Sequence, residues 1–284
     1  VRELSLFSGV GGGLLATHHL LGWQTVGYVE FDDYCQRVLA ARIRDGLLSD
    51  APIFGDIRAF ISDGYADAYS GLVDVVTAGF PCQPFSYAGL RLQEKDPRNL
   101  WPETIETIRH VRPHTVFLEN TPGIQPYLPV VFGGLRRAGL CVHPRTRVAA
   151  ATVGAGHRRR RHWFYAHAAS QRCQKTWTHS KHSEKRSTGA NSIRTDDDCQ
   201  RLSDSERREA VREITRVASA RARNWPTRRL AQFSSSEPDL GRMVYGIPNG
   251  VDRLRAIGNA QFPAVAALAW EMLTHEIIHD DLDW

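Results

Sequence analysis

Apolar and polar positions along this chain fall into two patterns. Short β-branched or apolar runs alternate with stretches whose apolar residues recur at helical spacing. Leu4-Ser5-Leu6-Phe7 reads as a first strand, Ser8 to Gly13 as a tight glycine turn, and Leu14 to Leu21 as a helix stopped by Gly22. A second strand runs from about Thr25 to Val29 and ends at Glu30. Strand, glycine turn and helix in that order open a βαβ unit. Val73 to Ala78 reads as a buried strand. Pro102 starts a helix with Ile105, Ile108 and Val111 on one face, and Arg112-Pro113 ends it. Thr115 to Leu118 is the next strand, followed by Glu119-Asn120-Thr121. A helix around Val131–Ala138 ends at Gly139, and a strand of mixed character follows from Leu140 to about Ala150. The helix from Ala264 to about Ile278 is apolar over much of its surface, which predicts packing against the first helix.

The pattern breaks once. From about Ala168 to Leu240, Ser, Thr, Asp, Lys and Arg dominate and apolar residues thin out. The break divides the chain into residues 1–167, 168–240 and 241–284. At 284 residues and 42% hydrophobic, the chain is long enough for a sizeable core.

Lys+Arg 36 against Asp+Glu 31 leaves +5, and the excess is uneven, with arginines clustered at 158–161 and recurring from Arg201 to Arg229. A polyanion partner fits that distribution; solvated helix faces are the plainer explanation for many of the arginines. Five cysteines make an odd count with no CxxC pair, which argues against a disulfide framework and a standard zinc site, so no metal is expected. The spacing of Cys173, His179, His182 and Cys199 fits no common zinc site either. A reducing, cytoplasmic setting is the expectation. No run of about 18 apolar residues predicts a membrane span. The N-terminus shows no signal-peptide pattern, and Val1 suggests a missing initiator Met.

The chemistry concentrates in Gly79-Phe80-Pro81-Cys82-Gln83-Pro84-Phe85-Ser86, just past the Val73–Ala78 strand. Proline fixes its own φ and pushes the preceding residue towards extended geometry, so Cys82 sits on a stiff loop. A nucleophile needs its sulfur aimed before the substrate arrives. A lone cysteine is more often an inert, buried one, and the rest of the chain has to decide. Glu30, about 20 residues past the glycine turn, is placed for ribose hydroxyls, a signal that would equally suit a nicotinamide dinucleotide. Arg159 and Arg161 are two apart on an extended segment and share a face.

The Cys82 stretch closely resembles the catalytic loop of the DNA cytosine-5 methyltransferases of bacterial and phage type, and other motifs of that family follow in order over roughly residues 3–165 and 240–275. Phe7-Ser8-Gly9-Val10-Gly11-Gly12 resembles the family's S-adenosylmethionine motif. By that likeness Glu30 holds the ribose, Phe31 stacks on adenine, and Asp56 and Ile57 form the third cofactor motif. Pro81, Leu100 and Asn259 complete the cofactor set, with Leu100 and Trp101 walling the pocket. Glu119-Asn120-Thr121 resembles the Glu-Asn-Val motif. Arg159 and Arg161 match Gln-x-Arg-x-Arg with His157 in the glutamine position. Gly258-Asn259-Ala260-Gln261 resembles the final motif, with Gln261 where valine is typical. The resemblance implies a doubly wound, Rossmann-like S-adenosylmethionine-dependent sheet of about seven strands in an α/β fold. It also implies a catalytic and cofactor-binding part (1–167), a short recognition or partly disordered segment (168–240), and a C-terminal return to the first part (241–284). It makes Cys82, Glu119, Arg159 and Arg161 catalytic, and Phe80, Gln83, Ser86 and Asn120 substrate-binding. Tyr87–Leu100 becomes a flap that closes over the substrate.

The implied reaction is transfer of a methyl group from S-adenosyl-L-methionine to carbon 5 of cytosine in double-stranded DNA, by a monomer, with the target base flipped out. Three alternatives stand beside it. A tRNA cytosine-5 methyltransferase shares every motif quoted. A catalytically silent DNA-binding relative would not need Cys82, Glu119 and Arg161. A nicotinamide-dependent oxidoreductase leaves the Pro-Cys-Gln loop unexplained.

Overall fold

The structure is a computed structural model and describes residues 1–81, 99–143, 145–155, 159–168, 252, 256 and 258–280, the last six of these for their backbone only. Its strands are β1 (Arg2–Leu6), β2 (Gln24–Val29), β3 (Ile53–Phe54), β4 (Val75–Ala78), β5 (Thr115–Asn120), β6 (Leu140–Val142), β7 (Thr146–Ala149) and β8 (Arg160–Ala168). They form one sheet in the order β3-β2-β1-β4-β5-β8-β6, with β7 also paired to β8. Pairs from β3 through β5 are parallel, and β8 runs antiparallel to β5, β6 and β7. The chain leaves β1 towards β2 and leaves β4 towards β5, so strand order reverses between β1 and β4. A ligand crevice opens at the carboxyl ends of strands at such a switch point.

The sheet is α/β and doubly wound, as the sequence predicts. One correction concerns the strand read from Leu140 to Ala150, which is two strands along the same edge of β8. In the sequence a proline, Pro144, falls between the two, and proline has no N–H to give a ladder. That break makes eight strands among the described residues where about seven were expected.

The first helix, α1, starts as an α-turn (Gly12–Leu14) and continues as a π-helical segment (Leu15–Leu20). The other helices are α2 (Asp33–Arg44), α3 (Ile57–Ser62), α4 (Tyr65–Ala68), α5 (Trp101–Val111), α6 (Leu128–Arg137) and α7 (Pro263–Asp280). Helix α5 obeys its sequence signals. Pro102 occupies the first turn, Ile105, Ile108 and Val111 are buried, and Arg112 caps the end at φ 51°. Trp101 opens that helix and is buried against Phe80, ring centroids 5.3 Å apart. It belongs to the core rather than to the cavity wall expected of it.

Each face of the sheet carries a core. On one face Leu4, Val76, Val116 and Phe164 meet α5 and α6 through Ile105, Ile108, Val131 and Leu135. On the other, Val75, Phe117 and Trp163 meet Ala16 and the α7 residues Val265, Leu268 and Ala269. Helix α7 therefore packs on the first helix as predicted, and Trp23 and Trp270 seal the contact edge to face at 4.5 Å. A third cluster, Leu14, Tyr28, Leu39 and Leu48, supports the glycine turn from beneath.

Candidate active site

A cavity of about 510 Å³ opens at the switch point. Its walls come from the turn after β1, the ends of β2, β4 and β5, the start of α3, and the segment before α7. Residues far apart in sequence meet here because parallel strands point their carboxyl ends the same way.

One wall is the glycine turn. Phe7 (φ 55°), Gly9 (φ 56°) and Gly11 (φ 86°) all lie in the left-handed region. Glycine adopts it freely, whereas at Phe7 it is strained, and such strain gathers at ligand sites. Glu30, at the end of β2, holds this turn: its Oε2 accepts the Gly9 amide at 2.6 Å and its Oε1 the Asp32 amide at 2.8 Å. Burial pushes its pKa up, against the pull of those amides.

Phe31 follows and is 74% exposed, an unusual setting for a phenylalanine, with its residue lining the cavity. Asp56 caps α3 by accepting the Arg58 amide at 2.9 Å, and Ile57 behind it is buried. Phe7, Gly9, Gly12, Glu30, Phe31 and Asp56 all line the cavity, as do Ile57, Pro81, Leu100 and Asn259. Gly11 does not. A Cβ there would face Leu39, Leu14 and Leu48, so its place in the turn is conformational.

The opposite wall carries the second carboxylate. Glu119 lies inside β5, one residue deeper than expected, and is 8% exposed. Its Oε1 pairs with Arg161 Nε at 2.8 Å, and its Oε2 faces Gln261 Nε2 at 3.4 Å. Burial raises its pKa; the charges of Arg161 and Arg159 and the Gln261 amide pull the other way. The two predicted arginines differ in task. Arg161 reaches the acid from β8, whereas Arg159 Nη2 donates to the carbonyls of Gly258 at 2.6 Å and Ala260 at 2.5 Å. Arg159 thus ties the segment bearing Asn259 to the sheet.

Asn120 and Phe80, expected to bind substrate, both line the cavity and also hold the segment that leaves β4. Asn120 is buried, donates to the Phe80 carbonyl at 3.0 Å and accepts the Thr121 amide at 2.8 Å. Phe80 packs its ring into the core. Together they clamp the backbone that leads through Pro81 to Cys82. Cys82, Gln83 and Ser86 lie outside the described residues, as do Tyr87–Arg98 of the flap, His157 and nearly all of 168–240. Sequence reasoning missed the deep end of the cavity, where Glu3 on β1 accepts hydroxyls from Thr17 at 2.6 Å, Thr25 at 3.0 Å and Thr77 at 2.7 Å. An acid in an otherwise apolar strand was the available signal.

Among the described residues no cluster of His, Cys, Asp and Glu is built for a metal ion, and no helix is long and apolar enough to cross a membrane. Fold and site together fit a class, the Rossmann-like methyltransferases that take S-adenosyl-L-methionine. A strained turn lets backbone approach a ligand closely, a carboxylate waits at the end of β2, and an exposed aromatic ring stands beside it.

The comparisons with known proteins narrow the class. The family model described as C-5 cytosine-specific DNA methylase matches residues 1–260, and the chain belongs to that family. It is similar to the type II methyltransferase M.CviJI of Paramecium bursaria Chlorella virus IL3A, 33% identical over 168 residues, 57% of this chain and 42% of that protein. The type II methyltransferase M.HpaII of Haemophilus parainfluenzae is 33% identical over 123 residues, 43% of this chain and 32% of that one. The chain thus matches less than half the length of either relative. The solved structure of an S. pombe Dnmt2 methyltransferase shares the fold at a TM-score of 0.53 and 15% identity, with 100% of each chain covered.

Proposed function

We propose that this protein methylates carbon 5 of cytosine in DNA, through a transient bond between Cys82 and carbon 6 of a base flipped out of the duplex. One observation carries the reading. The pair of buried Glu119 and half-buried Arg161 shares a cavity with the glycine turn and with Pro81, the residue before Cys82.

Bound S-adenosyl-L-methionine supplies an electrophilic methyl group. Phe7, Gly9 and Gly12 of the turn, with Glu30, Phe31, Asp56, Ile57, Leu100 and Asn259, would hold it. The chain's own residues make the ring reactive. Carbon 5 of cytosine is a weak nucleophile until the Cys82 thiolate adds at carbon 6. As that bond forms, the ring's electron pair moves towards nitrogen 3, where Glu119 delivers a proton. The neutral enamine that results is nucleophilic at carbon 5. Burial keeps the Glu119 carboxyl protonated to a higher pH than an exposed one, which suits a proton donor. Arg161 holds that acid in place and offers N–H groups to the carbonyl oxygen of the base. Once carbon 5 is substituted, its proton leaves to a base, the double bond re-forms, the thiolate departs and the proton on nitrogen 3 returns to Glu119. A base stacked in a duplex cannot reach Cys82, so flipping is a condition of the chemistry. Arginines of the second half would contact phosphates.

The test has two arms. Labelled donor is offered duplex DNA and tRNA in parallel, and label is expected in 5-methylcytosine of the DNA. DNA carrying 5-fluorocytosine is then expected to stay attached at Cys82, mapped by peptide mass. Label entering tRNA alone would reassign the substrate. A folded, donor-loaded protein that labels neither and forms no adduct would overturn the reading.

A further inference from the structure

Gln261 is the one departure in the final motif that places a polar group where the family typically has an apolar one, and the structure shows where that group goes. Its amide meets three segments that are remote in sequence. Nε2 faces Glu119 Oε2 at 3.4 Å. A Cβ built on Gly79 would stand 3.0 Å from Nε2 and 3.2 Å from Glu119 Oε2, so Gly79 leaves room for this meeting three residues before Cys82. Gly12 and Gly13 of the turn lie against the Gln261 carbonyl and side-chain oxygens, where any Cβ would collide. Arg159 anchors the same segment from the other side through Gly258 and Ala260. With Glu119 ionised, Nε2 facing the carboxylate is the amide orientation that attracts, since the oxygen there would repel.

We infer that Gln261 is a positioning residue for Glu119, holding the oxygen that Arg161 leaves and setting the strength of the acid. The inference rests on the proposed methyl transfer for its purpose. A proton donor works best when its pKa lies near the operating pH. Desolvation alone would drive the Glu119 pKa upward and make it reluctant to release its proton. The charges of Arg161 and Arg159 oppose this most, and the N–H that Gln261 donates to the carboxylate adds to them by favouring the charged form. The amide also fixes the direction of Oε2, because Oε1 is already held by Arg161.

The experiment titrates Glu119 directly, by carbon-13 NMR of protein labelled at glutamate carboxyl carbons, with Glu119→Gln used for assignment. Gln261→Met keeps the bulk between the three glycines and removes the amide. Loss of one long hydrogen bond is expected to raise the Glu119 pKa by about half a unit. Gln261→Glu is of equal size and places a second carboxyl against the first, so the upper pKa of the pair is expected to rise further. For methylation of duplex DNA, kcat of Gln261→Met is expected to fall roughly three- to tenfold while the donor KM stays within about twofold. A structural role alone would not move the titration. Glu119 titrating at the wild-type pH in both variants would overturn the inference. The titration needs no turnover, so a wild-type protein inactive on DNA would count against the methyl-transfer reading and leave this result to be read separately.

Discussion

Two buried carboxylates face the same cavity from opposite halves of the sheet, and they are held in opposite ways. Glu30 and Glu119 are each 8% exposed, and burial raises the pKa of both. Glu30 is gripped by backbone, through the amides of Gly9 and Asp32. Glu119 is gripped by side chains, Arg161 from β8 and Gln261 from before α7. Backbone amides at a turn are fixed in place and direction, so they make Glu30 a rigid acceptor suited to ligand hydroxyls. Side-chain partners can adjust as a proton comes and goes, which suits the proton donor proposed for Glu119. The halves also differ in construction. The parallel half from β1 to β4 builds its site from strand–turn–helix units close in sequence. The antiparallel half assembles its site from β5, β8 and a segment near the C-terminus.

The sharpest way to break that contrast is to remove proton transfer from one side alone. Glu119→Gln keeps the size of the side chain and a polar contact with Arg161 and cannot deliver a carboxyl proton. Its kcat is expected to fall by about 10²- to 10⁴-fold, with the donor Kd within about twofold of wild type by calorimetric titration. An equal loss of donor binding would mean that the halves are not separable.

A smaller and opposite effect is expected from the other half. Glu30→Ala strips the acceptor from the Gly9 and Asp32 amides and from any hydroxyl bound there. Hydrogen bonds to a charged group are worth about 1.5–3 kcal/mol, so the donor Kd is expected to rise roughly 10- to 100-fold. At saturating donor, kcat should stay within about threefold, because in the proposed reaction Glu30 touches no reacting atom. A large drop in kcat with unchanged Kd would reverse the assignment of the two acids.

The same contrast decides what could be read from the sequence. The parallel half was legible because its signals are local. The glycine turn after Leu6, the acid closing β2 and the Pro102 start of α5 each need only a short window of chain. Even here α2 went unread, although Asp32 caps it by accepting the Cys35 amide at 3.0 Å and Arg42 and Arg44 close its last turn. In the antiparallel half the residues were named and their contacts were not. Asn120 holds the Phe80 carbonyl 40 positions away. Arg159 bonds to carbonyls about 100 positions on, and Gln261 reaches back 142 positions to Glu119. No spacing rule spans such distances; strand order creates them. The π-helical turn in α1 packs against α7 and has no signal in its own residues.

A third buried carboxyl sharpens the contrast with the smallest effect, because it should matter to neither half's chemistry. Glu3 lies on β1 at the deep end of the cavity, 1% exposed, and its hydrogen-bond partners are the hydroxyls of Thr17, Thr25 and Thr77. Burial raises its pKa, and the three hydroxyls only partly offset this. Tyr28 stands near enough for the charge of Glu3 to contribute to its own pKa, which is pushed up to about 12, mainly by burial, so that ring stays neutral throughout the range tested. The sign follows from proton counting. Between the ordinary glutamate pKa of about 4.3 and the raised folded value, the folded state binds more protons than the unfolded one. Stability from this group is therefore fully present below the ordinary value and is lost as pH rises through the folded one. Glu3→Gln is neutral at every pH and can still bond to the threonine hydroxyls. Denaturant unfolding from about pH 4.5 to pH 8 is expected to show the variant gaining on wild type as pH rises, while kcat and donor Kd stay within about twofold. A difference between the two proteins that does not change with pH would show that Glu3 is not charged against its surroundings at all. Loss of activity in the variant would instead join β1 to the working site and end the separation of this acid from the other two.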